Sequence, residues 1–158
     1  MRRLLLALLL LLALASPGSA QQRAGGLLTL LPSTTLTTAV ADTTTVAFPT
    51  AGLTDLLVEA KFTYGSGGTT AKFWIQTRSS GGTWRDVMSL AFTTASATKW
   101  SKVSIATALA AARTASDAAL ADDTILDGFL GDEVRVKYTS TGTYAGGTTI
   151  VILGSAKY

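Results

Sequence analysis

The chain has no cysteine and no histidine among its 158 residues. The first absence removes disulfides, thiolate zinc sites and cysteine nucleophiles. The second removes imidazole bases and imidazole metal ligands. Catalysis would have to run on carboxylates, lysine or tyrosine, and no motif assembles these into a nucleophile–base pair or a metal site. The expectation is therefore a protein that is not an enzyme and has no cofactor. Charge is also scarce: Asp, Glu, Lys and Arg make up 15% of the chain, so solubility rests on Thr, Ser and Gly. Of the formal net charge of +3, two charges belong to Arg2 and Arg3 at the very start. No basic run lies beyond them, which argues against nucleic acid as a partner.

What the N-terminus does have is a basic start at Arg2 and Arg3, an unbroken apolar run over residues 4–15, then Pro17, Gly18 and Ala20. This is the layout of a secretory signal with cleavage after Ala20. As a helix the apolar run would span about 18 Å, well short of the ~30 Å hydrocarbon core, so no stable membrane span is expected after cleavage. The rival explanation is a mis-set start in front of a cytoplasmic gene. The expected organisation is a signal peptide at 1–20, an extended Thr-rich arm or first strands at 21–50, and a β-sandwich domain at 51–158. The signal implies export to the periplasm or beyond; the alternative location is a virion.

The rest of the chain reads as all-β. Pro32 and Pro49 break any helix in the Thr-rich stretch, and Thr and Val favour extended backbone. In LLVEAKFTY, Leu56, Val58, Ala60, Phe62 and Tyr64 alternate with Leu57, Glu59, Lys61 and Thr63, the period of a half-buried strand. AKFWIQTR repeats the pattern, with Ala71, Phe73 and Ile75 on one face and Lys72, Trp74, Gln76 and Arg78 on the other. TWRDVMSLAF follows, and the Gly-rich links at 65–68 and 79–82 suggest a three-strand antiparallel meander. A strand is expected near 99–105. Another is EVRVKYT, burying Val134, Val136 and Tyr138 and exposing Arg135, Lys137 and Thr139. The last, TTIVILGSA, is apolar on both faces and so reads as central. STGTYAGG before it is a hairpin loop carrying Tyr144. ATALAAARTASDAALADD has helical composition but no clean apolar face, and is expected to be a surface excursion with at most a short helix. Six to eight strands at this spacing predict an antiparallel β-sandwich or jelly roll.

Two groups of side chains are candidates for function. Trp74 shares a strand face with Lys72, Gln76 and Arg78; an aromatic on a polar face suits a glycan or partner platform, although burial under a second sheet or a neighbouring subunit accounts for it slightly better. Trp84 and Trp100 are expected in the core or at its rim. The second group is acidic: Asp122, Asp123, Asp127 and Asp132, with Glu133. These are weak calcium candidates, since their spacing does not follow an EF-hand loop and apolar residues interrupt them; a solvated loop is the better reading. They are also the only candidates for paired-carboxylate hydrolysis.

TRSSGGTW resembles the Asp-box hairpin, with Thr77, Gly81, Thr83 and Trp84 matching and Ser79 standing where that pattern has Asp; the resemblance implies a folding device and no activity. FTYGSGGT, FTTASAT and the LAD…DG.LGD…RVK..STGTYAG block, covering residues 56–151, resemble a family of small virion-associated β proteins of tailed phages and prophages. The resemblance implies a capsid- or tail-associated structural protein without catalytic residues or cofactor. The exported leader and the Ala-rich stretch depart from that family, and the leader favours the alternative of an exported adhesion or carbohydrate-binding module. A strand apolar on both faces needs cover on both sides, so a homo-oligomer is expected, a trimer or larger ring, with residues 21–50 reaching a neighbour.

Overall fold

The computed structural model describes residues 26–109 and 111–158. The expected leader, 1–20, and residues 21–25 of the arm lie outside the described residues. Eleven strands follow in order: β1 (Leu27–Thr35), β2 (Val40–Thr44), β3 (Phe48–Pro49), β4 (Asp55–Thr63), β5 (Ser66–Gly67), β6 (Thr70–Arg78), β7 (Arg85–Phe92), β8 (Ala97–Ser104), β9 (Glu133–Thr141), β10 (Tyr144–Ala145) and β11 (Thr149–Lys157). There is no helix among the described residues.

The strands form two antiparallel sheets. Sheet A has the order β1-β11-β4-β8; sheet B has the order β2-β9-β6-β7, with β3 continuing β2 along the same edge of β9. Set aside the small β5–β10 ladder, and the pairing is that of a long hairpin. The first strand pairs with the last (β1 with β11), the second with the next to last (β2 with β9), then β4 with β8 and β6 with β7. That hairpin is rolled so that β11 also meets β4 and β9 also meets β6. This is jelly-roll topology, two Greek keys wrapped into a sandwich.

The core follows from strand alternation. Leu56, Val58, Ala60 and Phe62 of β4 and Ile150 and Ile152 of β11 point from sheet A onto Ala71, Phe73, Ile75, Val134 and Val136 of sheet B, all buried. Phe62 stacks on Phe92 at 5.1 Å across the gap, and Phe92 meets Phe73 edge-on at 6.0 Å. Such aromatic contacts add about 0.5–1.5 kcal/mol to area burial.

Two expectations need correction. LLVEAKFTY, AKFWIQTR and TWRDVMSLAF do not form one meander: β6 and β7 pair, but β4 lies in the opposite sheet. Residues 65–68 carry the chain over the end of the sandwich, where β5 pairs with β10. Gly68, at φ +60°, leaves the space that the Tyr144 ring fills. The described part of the Thr-rich stretch, residues 26–50, forms first strands: it supplies β1, β2 and β3, and buries Leu30, Leu31 and Leu36 in the chain's own core. Pro32, which cannot donate to a ladder, sits on edge strand β1 inside the register shift between Leu31 and Thr34. Lys137, expected in solvent, is buried under the chain that joins β8 to β9.

That connection includes a strap, residues 111–132, which crosses the outer face of sheet B and runs along the free edge of β7. The Asp86 N–H donates to Ser116 O, the Ser89 N–H to Thr124 O, and the Leu126 N–H to Val87 O; Met88 forms a bridge with Ile125. A bulge in β7 prepares this docking. Ile75 pairs with Met88 but Gln76 pairs with Asp86, so Val87 is the extra residue. Strict alternation from Phe92, Leu90 and Met88 would aim Asp86 into the core; the bulge turns it to the outer face beside Gln76.

Where the strap ends, Gly131 closes the sandwich. Its N–H donates to Thr77 Oγ1 at 2.8 Å and its carbonyl accepts from Thr50 Oγ1 at 2.8 Å. A methyl group at Gly131 would overlap the Arg78 carbonyl, part of a strand that cannot retreat. Gly131→Ala is expected to lower stability by about 1–3 kcal/mol, the usual cost of overpacking. Urea unfolding checks this, and an unchanged midpoint would show that the β6–β9 end is soft.

Candidate functional site

The outer face of sheet B carries the four residues singled out as a platform. Lys72, Trp74, Gln76 and Arg78 do share one face of β6, but the strap and neighbouring side chains cover it. Trp74 is 5% exposed, and its indole Nε1–H donates to Leu120 O at 3.1 Å. Lys72 pairs with Asp122 at 2.8 Å. Arg78 pairs with Glu133 and lies over the Trp84 ring at 4.6 Å, while Arg135 lies against the same indole at 4.2 Å.

Gln76 is at the centre of a buried polar network. Its Nε2 donates to Asp86 Oδ1 at 2.8 Å and to Asp117 Oδ1 at 2.7 Å, and its Oε1 accepts from Arg135 Nε at 2.9 Å. The Asp86 carboxylate also accepts from three consecutive strap amides, Ala118, Ala119 and Leu120, at 3.1, 3.0 and 3.2 Å. Ala118 holds a left-handed φ of +57° within this nest, a conformation that costs a non-glycine residue about 1–2 kcal/mol and that converges the amides on one anion. Lys137 Nζ meets Asp117 at 3.1 Å. The Gln76 amide first, then the Lys137 ammonium, hold the Asp117 carboxyl below its ordinary value. Lys72, Trp74 and Gln76 of the expected platform thus fasten the strap, while Arg78 pairs with Glu133 of β9.

The acidic residues are dispersed in the same way. Asp122 pairs with Lys72, and Asp123 with Lys99 at 2.7 Å. Asp127 Oδ1 accepts from the Ser104 N–H at 3.0 Å, and Asp132 Oδ2 accepts from the Ser80 N–H at 2.8 Å. Among the described residues no three Asp or Glu side chains gather into a metal site. Asp132 also clarifies the Asp-box resemblance: the 79–82 turn, whose own sequence has Ser79 at the capping position, receives a carboxylate acceptor from the strap.

Two surfaces on and beside sheet A are open among the described residues. One is the outer face of sheet A. In register across it lie Ser155, Leu57 and Lys102, and then Leu153, Glu59 and Trp100. Leu27 is 74% exposed and Leu57 41%, and together with Leu153, Glu59 and Ser155 they line a shallow groove. The other is a cleft of about 370 Å³ between β8 and the strap, lined by Ser89, Leu90, Thr98, Lys99, Trp100, Ser101, Asp123 and Ile125. Trp100, expected in the core or at its rim, is 73% exposed. Alternation across β8 already placed it with Thr98 and Lys102, opposite the face of Val103; that parity was the available signal. Among the described residues no helix is long and apolar enough to cross a membrane.

The class defined by fold and surface is a jelly-roll β-sandwich whose open faces are a mixed sheet surface and an edge cleft. No protein-family model, curated protein or solved structure matches the chain.

Proposed function

We propose that this protein is a non-catalytic virion structural protein, a capsid-decoration or tail-associated jelly roll that acts through contacts with copies of itself and with other virion proteins. The observation that carries the reading is the outer face of sheet A. Sheet B covers its outer face with the strap, but the face bearing Leu27, Leu57, Val151 and Leu153 has no such cover among the described residues. The polar residues on it suit a second copy. Glu59 and Lys61 have no ion pair among the described residues, and a twofold-related copy offers each of them the opposite charge. The resemblance of the FTYGSGGT and STGTYAG blocks to small tailed-phage proteins supports the same class, and jelly rolls recur in capsids.

Sedimentation tests the contact. The full chain is expected to assemble, and Leu57→Lys with Leu153→Lys to yield folded monomers. A wild type that stays monomeric at all concentrations defeats the assembly reading. Mass spectrometry of purified particles tests the role, which fails if the protein is absent from all of them.

A second reading is an exported adhesion or carbohydrate-binding module. It is favoured by the exposed Trp100 beside the edge cleft and by the sequence layout of a secretory signal. Jelly rolls also recur in lectins, an analogy of fold alone. Screening the full chain on a glycan array tests it.

A further inference from the structure

The cleft between β8 and the strap combines features that neither strand pairing nor core packing explains. Its volume of about 370 Å³ lies within the range of small-molecule sites, roughly 300–1,000 Å³. Trp100 gives it a large aromatic surface, mostly in solvent. Lys99 and Asp123 give it one charge of each sign, held 2.7 Å apart. Thr98 and Ser101 add hydroxyls. Ser89, fully buried and also part of the lining, has a hydroxyl with no hydrogen-bond partner among the described residues. Buried polar atoms in native proteins are nearly always paired, so an orphan beside a cleft calls for an explanation.

From these features we infer that the cleft is a saccharide subsite, with the Trp100 indole as stacking platform and the Lys99–Asp123 pair as the clamp for ring hydroxyls. A pyranose presents an apolar C–H face and a rim of hydroxyls, each both donor and acceptor. The first suits the indole face. The second suits an ammonium and a carboxylate side by side, since the same hydroxyls accept from one and donate to the other. The balanced charge disfavours an anionic ligand. An added peptide strand is disfavoured too, because the Lys99 ammonium folds over this edge to the Ala91 carbonyl and Asp123, and an edge lysine guards against strand addition. Asp123 lies at φ +56° and also accepts from the Ala91 N–H at 3.2 Å.

The inference rests on the glycan-binding reading and names its site. The experiment takes the full chain, identifies a saccharide on a glycan array, and titrates that saccharide by calorimetry and by tryptophan fluorescence. Trp100→Ala is expected to weaken binding by about tenfold or more, while Trp100→Phe, which keeps an aromatic face, stays within about threefold of wild type. Asp123→Asn, whose new side chain tolerates the left-handed backbone, is expected to weaken binding severalfold without loss of fold. Val46→Ser, at a residue 82% exposed and outside the cleft, is expected to bind as wild type. A wild type that binds no saccharide overturns both the reading and the site. Saccharide binding that survives Trp100→Ala overturns the site and leaves the reading standing. A Trp100-dependent response to an extended threonine-rich peptide, with none to any saccharide, overturns the site in favour of strand addition.

Discussion

Asp86→Ala is expected to lower the unfolding free energy by about 3–5 kcal/mol, since one deletion leaves several donors without their acceptor, each costing about 1–3 kcal/mol where water cannot replace it. Asp86 is 2% exposed and its two oxygens accept from the Ala118, Ala119 and Leu120 amides and from Gln76 Nε2. Alanine would leave all four donors without that acceptor. It would also release Ala118 from a left-handed backbone that nothing else in its side chain favours. Asp86→Asn keeps one acceptor oxygen and is expected to fall between alanine and wild type. Urea unfolding measures the stability, and amide exchange at residues 118–120 measures the docking of the strap. A loss below about 1 kcal/mol, the worth of one ordinary hydrogen bond, would show that the carboxylate does not anchor it.

Trp74→Ala and Trp100→Ala are expected to differ by several kcal/mol. Trp74 is covered by the strap and bonded to Leu120 O, so its truncation should cost about 3–5 kcal/mol. Trp100 is 73% exposed, and its truncation should stay within about 0.5 kcal/mol. Thermal unfolding of the two variants reads the difference. Fluorescence adds an independent check: loss of Trp100 should remove the most solvent-exposed emitter and shift the remaining spectrum to the blue. Equal destabilisation would mean that Trp100 is covered in solution, as it would be inside an oligomer.

The strands of this protein were legible because their signals are local. Alternation in residues 56–64, 71–78 and 133–139 located β4, β6 and β9 and named their inward residues, since side chains in a strand can only alternate. The Ala-rich stretch was read as an excursion because helical composition without an apolar stripe leaves a helix nothing to bury. The platform proved harder. Lys72, Trp74, Gln76 and Arg78 were placed on one face correctly, but a polar network exposed to water and one sealed under another segment have the same composition. Asp117, which meets Gln76 and Lys137, lies 41 and 20 residues from them in the chain.

By itself the amino-acid sequence determined an all-β domain and, for β4, β6 and β9, which face turns inward. These follow from period-two alternation and Gly-rich turns, both properties of a few neighbouring residues. Only the tertiary structure decided which strands pair. An amphipathic strand after a short link can lie beside its predecessor or face it across a core, and both arrangements bury the same residues; hence β4 and β6 lie in opposite sheets despite reading as a hairpin. The tertiary structure likewise decided which tryptophan meets solvent, because exposure depends on what lies above a face. The strap, held by the Asp86 carboxylate that the bulge at Val87 turned outward, covers Trp74, and no described segment covers Trp100 in the same way.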